Sequence, residues 1–257
     1  GFGQTGPYAQ RAAHDQVLQA MSGMMHMTGE PDDVPHVVNI PLGDYVTTLW
    51  STVSVLAAIR LRDFTGEGQH IDVGKLEALV AVMPVVTGQV RANGEDVMRF
   101  GNGNPFSFPT GLLKAKDGYL YITAGHNRQW ANVCRAIERE DLITDPRMAT
   151  RGSRSDNRDF IRPILESWVA ERTVEETVKR LDDNGVPCGP LLTPKQVVAD
   201  PHIVARGMFA EMTDKRGKTR PVVKFPVKFS GMPGTEPTPP PDLGEHNEEI
   251  YCEMLGY

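Results

Sequence analysis

One stretch of the sequence limits what this chain can fold into more than any other. Residues 39–74 contain a short apolar lead-in, Asp44 where the lead-in stops, a long run and then an alternating segment. Within this run of residues, apolar side chains recur at i, i+3, i+4 and i+7, which predicts an amphipathic helix that ends near Gly66. The alternation at Gln69–Val73 predicts a β-strand. The stretch therefore predicts a helix followed by a strand, with Asp44 at the start of the helix.

Asp44 has two interpretations, which are compatible with each other. At the start of a helix its carboxylate can accept the free N–H groups of the first turn, as an N-cap. The same position, beside the positive end of the helix dipole, favours an ionised carboxylate and suits a nucleophile or a base. This stretch alone favours the capping role, because caps are common and catalytic residues are rare.

The composition argues against several classes of protein. The chain of 257 residues has a net charge of −6 and no dense basic stripe, so nucleic acid is not an expected partner. No run reaches the roughly 18 apolar residues of a membrane span, and the first residues do not resemble a signal peptide. Cys134, Cys188 and Cys252 show neither disulfide nor zinc spacing. We therefore expect free thiols in a reducing cytoplasm, no metal site and no membrane partner.

Two segments before this stretch have possible roles in binding or catalysis. Residues 1–8, with three glycines and a proline, are typical of a loop that lets the backbone approach a ligand closely. A helix is predicted to follow, with Asp15 as a plausible cap. His14 is either a ring packed on the core or a proton-transfer group, and the structural role is the commoner of the two.

The rest of the chain predicts a second domain and a return segment. Residues 75–91 are typical of a buried helix kinked at Pro84. The glycine-containing residues 101–104 suit a mobile lid, with a plain linker turn as the alternative. Hairpin signals at 111–123 and several amphipathic helices then predict a compact α+β domain. A second hairpin, a proline-rich strap at 233–241 and a helix at 243–257 complete the chain.

Taken together, these segments resemble family III CoA-transferases, which include formyl-CoA and carnitine CoA-transferases and, as a branch, α-methylacyl-CoA racemases. The similar segments follow the family order over essentially the whole chain. They are GFGQTGPY, HDQVLQAMSGMMHMTGEP, the block from LGDY to LAAIRLRDFTGEGQHIDV, GNGNP, LLKAKDGYLYI, GVPCGPLLTPKQVVADPH and the closing LGEHNEEIYCEMLGY.

The resemblance implies an α/β fold with an incomplete Rossmann-like large domain and a small α+β domain. Residues 1–92 would form part of the CoA-binding large domain, 93–105 a linker with the glycine loop, and 106–204 the small domain. Residues 205–257 would return to the large domain with the strap and the C-terminal helix. Family members form dimers of two interlocked rings and are longer at the N-terminus. We therefore expect a homodimer, and a chain that is the C-terminal portion of a longer protein.

The resemblance also assigns site residues. Asp44 matches the family's catalytic aspartate, so the catalytic role of Asp44 is now preferred over the capping role. Lys75 falls beside the CoA end, where an apolar residue is expected. The residues that match CoA-contacting loops are Gly1, Phe2, Gly3 and Gln4, which would lie along CoA, and Gly101, Gly103 and Asn104, which would cover the reacting thioester.

The implied activity is transfer of CoA between two carboxylic acids through covalent aspartyl intermediates. The CoA thioester is then a substrate, and no permanently bound cofactor is expected. A racemase that uses His14 and Asp44 for proton transfer at C2 is the alternative, because the AAHD segment resembles the GHD of racemases. The GNGNP and LLKAKDGYLYI segments are more similar to those of transferases. A third interpretation is a structural subunit that completes another chain's site.

Overall fold

The computed structural model describes residues 1–232, 234 and 236–257, which divide into two compact units, Gly1–Pro190 and Leu191–Tyr257. The first unit begins with helices joined by loops. These helices are α1 (Asp15–Met21), α2 (Met24–Met27), α3 (Leu42–Thr65), α4 (Lys75–Ala81) and α5 (Pro84–Asn93). Phe2, Leu18 and Leu79 form the small core of this part.

Helix α3 confirms the long helical run but corrects its first residue. It ends as predicted, where Gly66 adopts φ 75° and donates its N–H to the carbonyl of Arg62 at 2.8 Å. It begins at Leu42, with Pro41 as the N-cap residue. Asp44 is therefore not the N-cap but the third residue of the helix, within the first turn. The prediction placed the start too late, because the apolar spacing becomes regular only after Asp44.

Two further predictions in this part are wrong. Gln69–Val73 forms no strand, and within the described part of the chain the extended residues 67–74 have no ladder partner. A strand requires a neighbour to bind its N–H and C=O groups, and alternation alone does not supply one. The helix predicted at 75–91 is two helices, because Pro84 occupies the first turn of α5, where its missing N–H costs nothing.

The remainder of the first unit is an α+β layer built on a three-stranded antiparallel sheet. The strands, in the order β1-β2-β3, are β1 (Thr110–Lys114), β2 (Tyr119–Thr123) and β3 (Cys188–Pro190). The predicted hairpin is confirmed, with Leu112 opposite Tyr121. Packed with the sheet are the helices α6 (Asn127–Ala136), α7 (Arg151–Asp156), α8 (Arg158–Ala170) and α9 (Val174–Asp183), with short 3-10 turns at Glu140–Ile143 and Pro146–Met148.

A large apolar core holds this layer together, with Trp130, Leu120 and Ile161 among its fully buried side chains. The guanidinium of Arg154 lies in the same layer, with no exposed surface. It donates to the carbonyls of Met148 at 2.8 Å and Gly125 at 2.6 Å, among other acceptors. Burial lowers the pKa of this guanidinium, and its hydrogen bonds are what make a buried charge tolerable there.

The second unit contains α10 (Pro194–Ala199), α11 (Pro201–Ala205) and an antiparallel hairpin of β4 (Phe209–Thr213) and β5 (Thr219–Val223). This hairpin was predicted. The predicted C-terminal helix is shorter than expected, a π-helix over Glu248–Met254. In the predicted strap, Pro233 and Thr235 lie outside the described residues, and residues 236–241 form neither helix nor strand.

The sheets in the described part of the chain are both antiparallel, so these residues do not themselves form a parallel Rossmann-like sheet. That architecture, and the division into four segments, stay predictions. One described helix, α3, is long and apolar enough to cross a membrane by length and composition alone, although it contains no unbroken run of 18 apolar residues. Such a helix is weak evidence for a span, because core helices have the same composition.

Candidate functional site

Asp44 lies at an open cavity of about 620 Å³ beside the first four turns of α3, which we call the Asp44 cavity. The lining residues are Asp44, Thr47, Thr48, Ser51, Thr52, Val55, Leu56 and Lys75. All except Lys75 belong to α3, so one face of this helix forms most of the wall. The cavity therefore joins a carboxylate, a row of hydroxyl groups and one ammonium group.

Lys75 pairs directly with Asp44. Its ammonium donates a hydrogen bond to Oδ1 of Asp44, and the side chains of the two residues are 33% and 48% exposed. Lys75 is the first residue of α4, which packs against α3. The resemblance predicted that Lys75 lies near the CoA end, but the ion pair with the catalytic candidate was not foreseen.

A buried carboxylate fixes the start of α3. Asp15 is only 5% exposed, and its Oδ1 accepts the backbone N–H of Gly43 at 2.6 Å. Its Oδ2 accepts the Nε2 proton of Gln19 at 2.6 Å. The sequence suggested that Asp15 caps its own helix, but Asp15 is the first residue of α1 and satisfies a free N–H of α3 instead. Since Gly43 precedes Asp44, this bond sets the position of the candidate nucleophile.

Gln19 extends this contact to the lead-in of α3. Its side chain is fully buried, and its Oε1 accepts the N–H of Val38 at 3.0 Å. Its Nε2 also donates to the carbonyls of Val38 at 3.1 Å and Ile40 at 3.2 Å. Sequence reasoning missed Gln19, because its contacts with the lead-in, to Val38 and Ile40, join residues that are far apart in the sequence.

His14 lies next to this contact and is exposed at the N-cap position of α1. His14 precedes Asp15 in the chain, and Gly43 precedes Asp44. The hydrogen bond between Gly43 and Asp15 therefore connects the residue next to Asp44 with the residue next to His14. The structure thus brings the start of α1 and the start of α3 together, and the pairing of His14 with Asp44 itself stays a prediction.

The predicted CoA loop at Gly1–Gln4 lies along the segment that leads into α4. The carbonyl of Gly1 accepts the N–H of Leu76 at 3.2 Å, and the N–H of Gln4 donates to Oδ2 of Asp72 at 2.8 Å. Phe2 is 6% exposed and packs in the small core, so its ring is not available to a ligand. The loop thus offers its backbone and the exposed side chain of Gln4.

The glycine loop lies elsewhere, against the segment that follows α2. Gly101 donates its N–H to the carbonyl of Gly29 at 3.1 Å, and Nδ2 of Asn102 donates to Oε1 of Glu30 at 3.2 Å. Asn104 accepts the N–H of Phe106 at 2.8 Å with its Oδ1. A cavity of about 220 Å³ lies beside Glu30, Asn102 and Gly103. Among the contacts of the described residues, none joins this loop to Asp44.

The described residues contain no group of three His, Cys, Asp or Glu side chains placed to hold a metal ion. The three cysteines are free, and Cys134 is buried. Burial, reinforced by the negative charge of Asp141, raises the pKa of the Cys134 thiol to about 12. This thiol is therefore neutral and inert at ordinary pH.

Comparison with known proteins gives one family. The family model for CoA-transferase family III matches residues 1–247. The succinate–glutarate CoA-transferase of Agrobacterium fabrum is 32% identical over 99% of this chain and 64% of its own length. The succinyl-CoA:glutarate CoA-transferase of Mus musculus is 33% identical over 100% of this chain and 59% of its own length. The chain thus spans about three fifths of the curated relatives it matches.

Solved structures agree with this result. A CAIB/BAIF family protein from Brucella suis is 34% identical, with a TM-score of 0.81 over 99% of this chain and 66% of that one. A protein from M. tuberculosis is 27% identical, with a TM-score of 0.83 over 96% of this chain and 65% of that one. The mixed α/β fold with small sheets is therefore shared with these structures.

Proposed function

Because the chain belongs to CoA-transferase family III, we propose that the protein moves CoA between two carboxylic acids through a covalent intermediate on Asp44. The observation that carries this proposal is the placement of Asp44. Its carboxylate lies in the first turn of a 24-residue helix, at a cavity, with its backbone fixed by a buried hydrogen bond.

The reaction begins when the Asp44 carboxylate attacks the thioester carbonyl of an acyl-CoA. The C–S bond breaks, which gives a mixed anhydride on Asp44 and the CoA thiolate. The thiolate then attacks the aspartyl carbonyl of the anhydride, which releases the donor acid as a carboxylate and leaves CoA on Asp44 as a thioester. An acceptor carboxylate reverses these steps and leaves as the new acyl-CoA.

A carboxylate is a weak nucleophile, so the surroundings have to supply much of the rate enhancement. Exclusion of water and N–H donors aimed at the developing oxyanion are the two usual sources. Gly101–Asn104 is our candidate for a lid that closes over the thioester. Its present bonds to Gly29 and Glu30 would then describe a position of the loop away from Asp44.

The loop Gly1–Gln4 suits a neutral part of CoA. A side-chain atom added at Gly3 would lie 3.4 Å from carboxylate oxygens of both Asp72 and Glu77. Two carboxylates this close repel the phosphates of CoA but not its uncharged pantetheine chain. We therefore assign the loop to the pantetheine and place the phosphates away from Asp72 and Glu77.

The acids are proposed to be dicarboxylic. The matching relatives from several organisms are named for succinate with glutarate, D-citramalate, L-malate or mesaconate. Each named pair consists of two dicarboxylic acids, so we infer that the acids exchanged by this protein also carry two carboxylates.

We further propose a Rossmann-like large domain, a homodimer and a cytoplasmic location. Helix α3 supports the first two, because it exposes a long row of apolar side chains that requires a covering surface. The exposed apolar residues of α3 include Leu49, Trp50, Val53, Leu56, Ile59 and Phe64. The three free thiols support the reducing compartment.

The test is mass spectrometry of the complete protein after incubation with succinyl-CoA and hydroxylamine, which converts activated aspartyl groups to hydroxamates. We expect a hydroxamate on the peptide that contains Asp44. Asp44→Ala should abolish turnover, whereas Asp63→Ala, at the other end of α3, is the matched control and should leave it unchanged. Full activity of the Asp44→Ala variant would refute the proposal.

The second candidate is the racemase, favoured by the exposure of His14 and by the bond that joins its neighbour to the neighbour of Asp44. In this reaction one residue removes the proton at C2 of a 2-methylacyl-CoA and the other returns a proton on the opposite face. Incorporation of one deuterium at C2 in heavy water, with no hydroxamate at Asp44, would favour this candidate over the transferase.

A further inference from the structure

We propose that Lys75 is a catalytic residue, whose ammonium is the fixed counter-ion of one negative charge that moves through the reaction. The proposal rests on the transferase activity proposed above and adds to it a residue and a role. It starts from the ion pair between Lys75 and Asp44 at the Asp44 cavity.

The backbone holds Lys75 in place from both sides. Gly74, just before it, is buried and accepts the N–H of Ala78 at 3.0 Å, and Leu76, just after it, donates to Gly1 at 3.2 Å. Leu79 of the same helix is fully buried, and its side chain lies near Gly43. The ammonium is therefore attached to a helix that packs directly on the first turn of α3.

The reaction conserves one negative charge at every stage. The charge starts on the Asp44 carboxylate, passes to the CoA sulfur when the C–S bond breaks, and passes to the donor carboxylate when the anhydride is opened. No proton enters or leaves in these steps. Once Asp44 is acylated it is neutral, so Lys75 loses its partner just as the thiolate and then the free carboxylate appear beside it. A single fixed cation can thus stabilise each anion in turn.

Three of the four hydroxyl groups in the cavity, those of its threonines, cannot take this role as they stand. The hydroxyl of Thr47 donates to the backbone carbonyl of Gly43 at 2.6 Å. The hydroxyl of Thr48 donates to the backbone carbonyl of Asp44, and that of Thr52 to the backbone carbonyl of Thr48, both at 2.8 Å. Their protons are engaged with the helix backbone, so they present lone pairs to the cavity. Among the described lining residues, Lys75 is the one cation.

The experiment compares three variants of the complete protein in turnover with succinyl-CoA and glutarate. Lys75→Met keeps the length of the side chain without the charge, and Lys75→Ala leaves room for a small amine. Lys179→Met is the matched control, because Lys179 also pairs with an aspartate, Asp183, at 2.8 Å but on the exposed face of α9.

We expect Lys75→Met to lower kcat about 10- to 100-fold, the effect of one charged hydrogen bond in a transition state. Lys179→Met should keep the native rate. Methylammonium or ethylammonium added to Lys75→Ala should restore part of the lost rate, in a saturable way that depends on the amine's size. A structural role for Lys75 would not give this rescue.

Native turnover in Lys75→Met, or a loss in Lys75→Ala that no amine restores, would overturn the role of Lys75. The hydroxamate assay separates this failure from that of the proposed function. A hydroxamate at Asp44 in the native protein, together with an unaffected Lys75→Met variant, would refute the counter-ion alone. No hydroxamate at Asp44 in the native protein would refute both.

Discussion

The hydrogen bond that Gly43 donates to Asp15 allows a direct test of what holds the start of α3 in place. We predict that Asp15→Ala lowers the free energy of unfolding by about 2–4 kcal/mol. The substitution leaves the N–H of Gly43 without its acceptor in a buried place, and an unsatisfied buried donor costs about 1–3 kcal/mol. It also removes a carboxylate from the N-terminus of α3, which contributes about 0.3–1 kcal/mol, or up to about 2 when partly buried.

Two effects limit the loss. Gln19 keeps its bonds to the carbonyls of Val38 and Ile40, so its amide does not become unsatisfied. Removing Asp15 also removes the cost of burying a charge that has no ion-pair partner among the described residues. We therefore expect the loss in the free energy of unfolding to fall in the lower part of the predicted range.

Urea denaturation of the complete protein measures the effect, with Asp200→Ala as the matched control. Asp200 also accepts two backbone N–H groups, from His202 at 2.9 Å and Ile203 at 3.0 Å, but at the less buried start of α11. The control should lose about 1 kcal/mol, as is typical of a helix cap. A loss in Asp15→Ala no larger than that in the control would refute the argument from burial. We also expect Asp15→Ala to lower turnover, since Gly43 positions Asp44.

Three further predictions concern other parts of the chain. Arg154→Met should lower the free energy of unfolding by about 2–4 kcal/mol in urea denaturation, because buried carbonyls lose their donor at about 1–3 kcal/mol each while removal of the buried charge offsets part of the loss; a loss below about 1 kcal/mol would contradict this. Gly101→Ala should displace the glycine loop and lower turnover several-fold, because φ is +59° and the new methyl would lie 2.2 Å from Oε2 of Glu30. Glu30→Ala in the same chain should restore part of the rate, and no recovery would place the cause elsewhere. Cys134, with its pKa raised to about 12, should stay unmodified by a thiol reagent at pH 9 until the protein unfolds, whereas exposed Cys252 should react at once. The unfolded thiol releases its proton first, so stability should fall as pH rises from 9 towards 12.

Local signals in the sequence were sufficient for much of the fold. The hairpin at β1 and β2 and the end of α3 at Gly66 were both predicted and are present. Each depends on residues within a few positions of one another. For the same reason the segment at Gln69–Val73 was mistaken for a strand, since its pattern says nothing about whether a partner is present.

The candidate site was predictable only in part. The resemblance supplied Asp44, and the structure places it at a cavity, but its role stays a proposal. The contacts that organise the site join residues far apart in the sequence. Asp15 binds Gly43 across 28 positions and Lys75 binds Asp44 across 31. Periodicity describes neighbours on one element, so it could not have identified either pair.

An ammonium beside a nucleophilic carboxylate stabilises it and so opposes its attack, and the exposure of the pair decides how large this effect is. With the side chains of Asp44 and Lys75 48% and 33% exposed, water screens the resting ion pair, which stabilises the carboxylate by about 0.2–1 kcal/mol. That slows the attack by no more than about fivefold, since 1.4 kcal/mol corresponds to a factor of ten. When a substrate and a closed loop exclude water, the same charge acts at a lower dielectric constant, where one correctly placed donor contributes about 10²–10³ in rate. The balance therefore favours the cation only if the site closes, so a variant whose glycine loop is held away from Asp44 should lose most of its sensitivity to Lys75→Met.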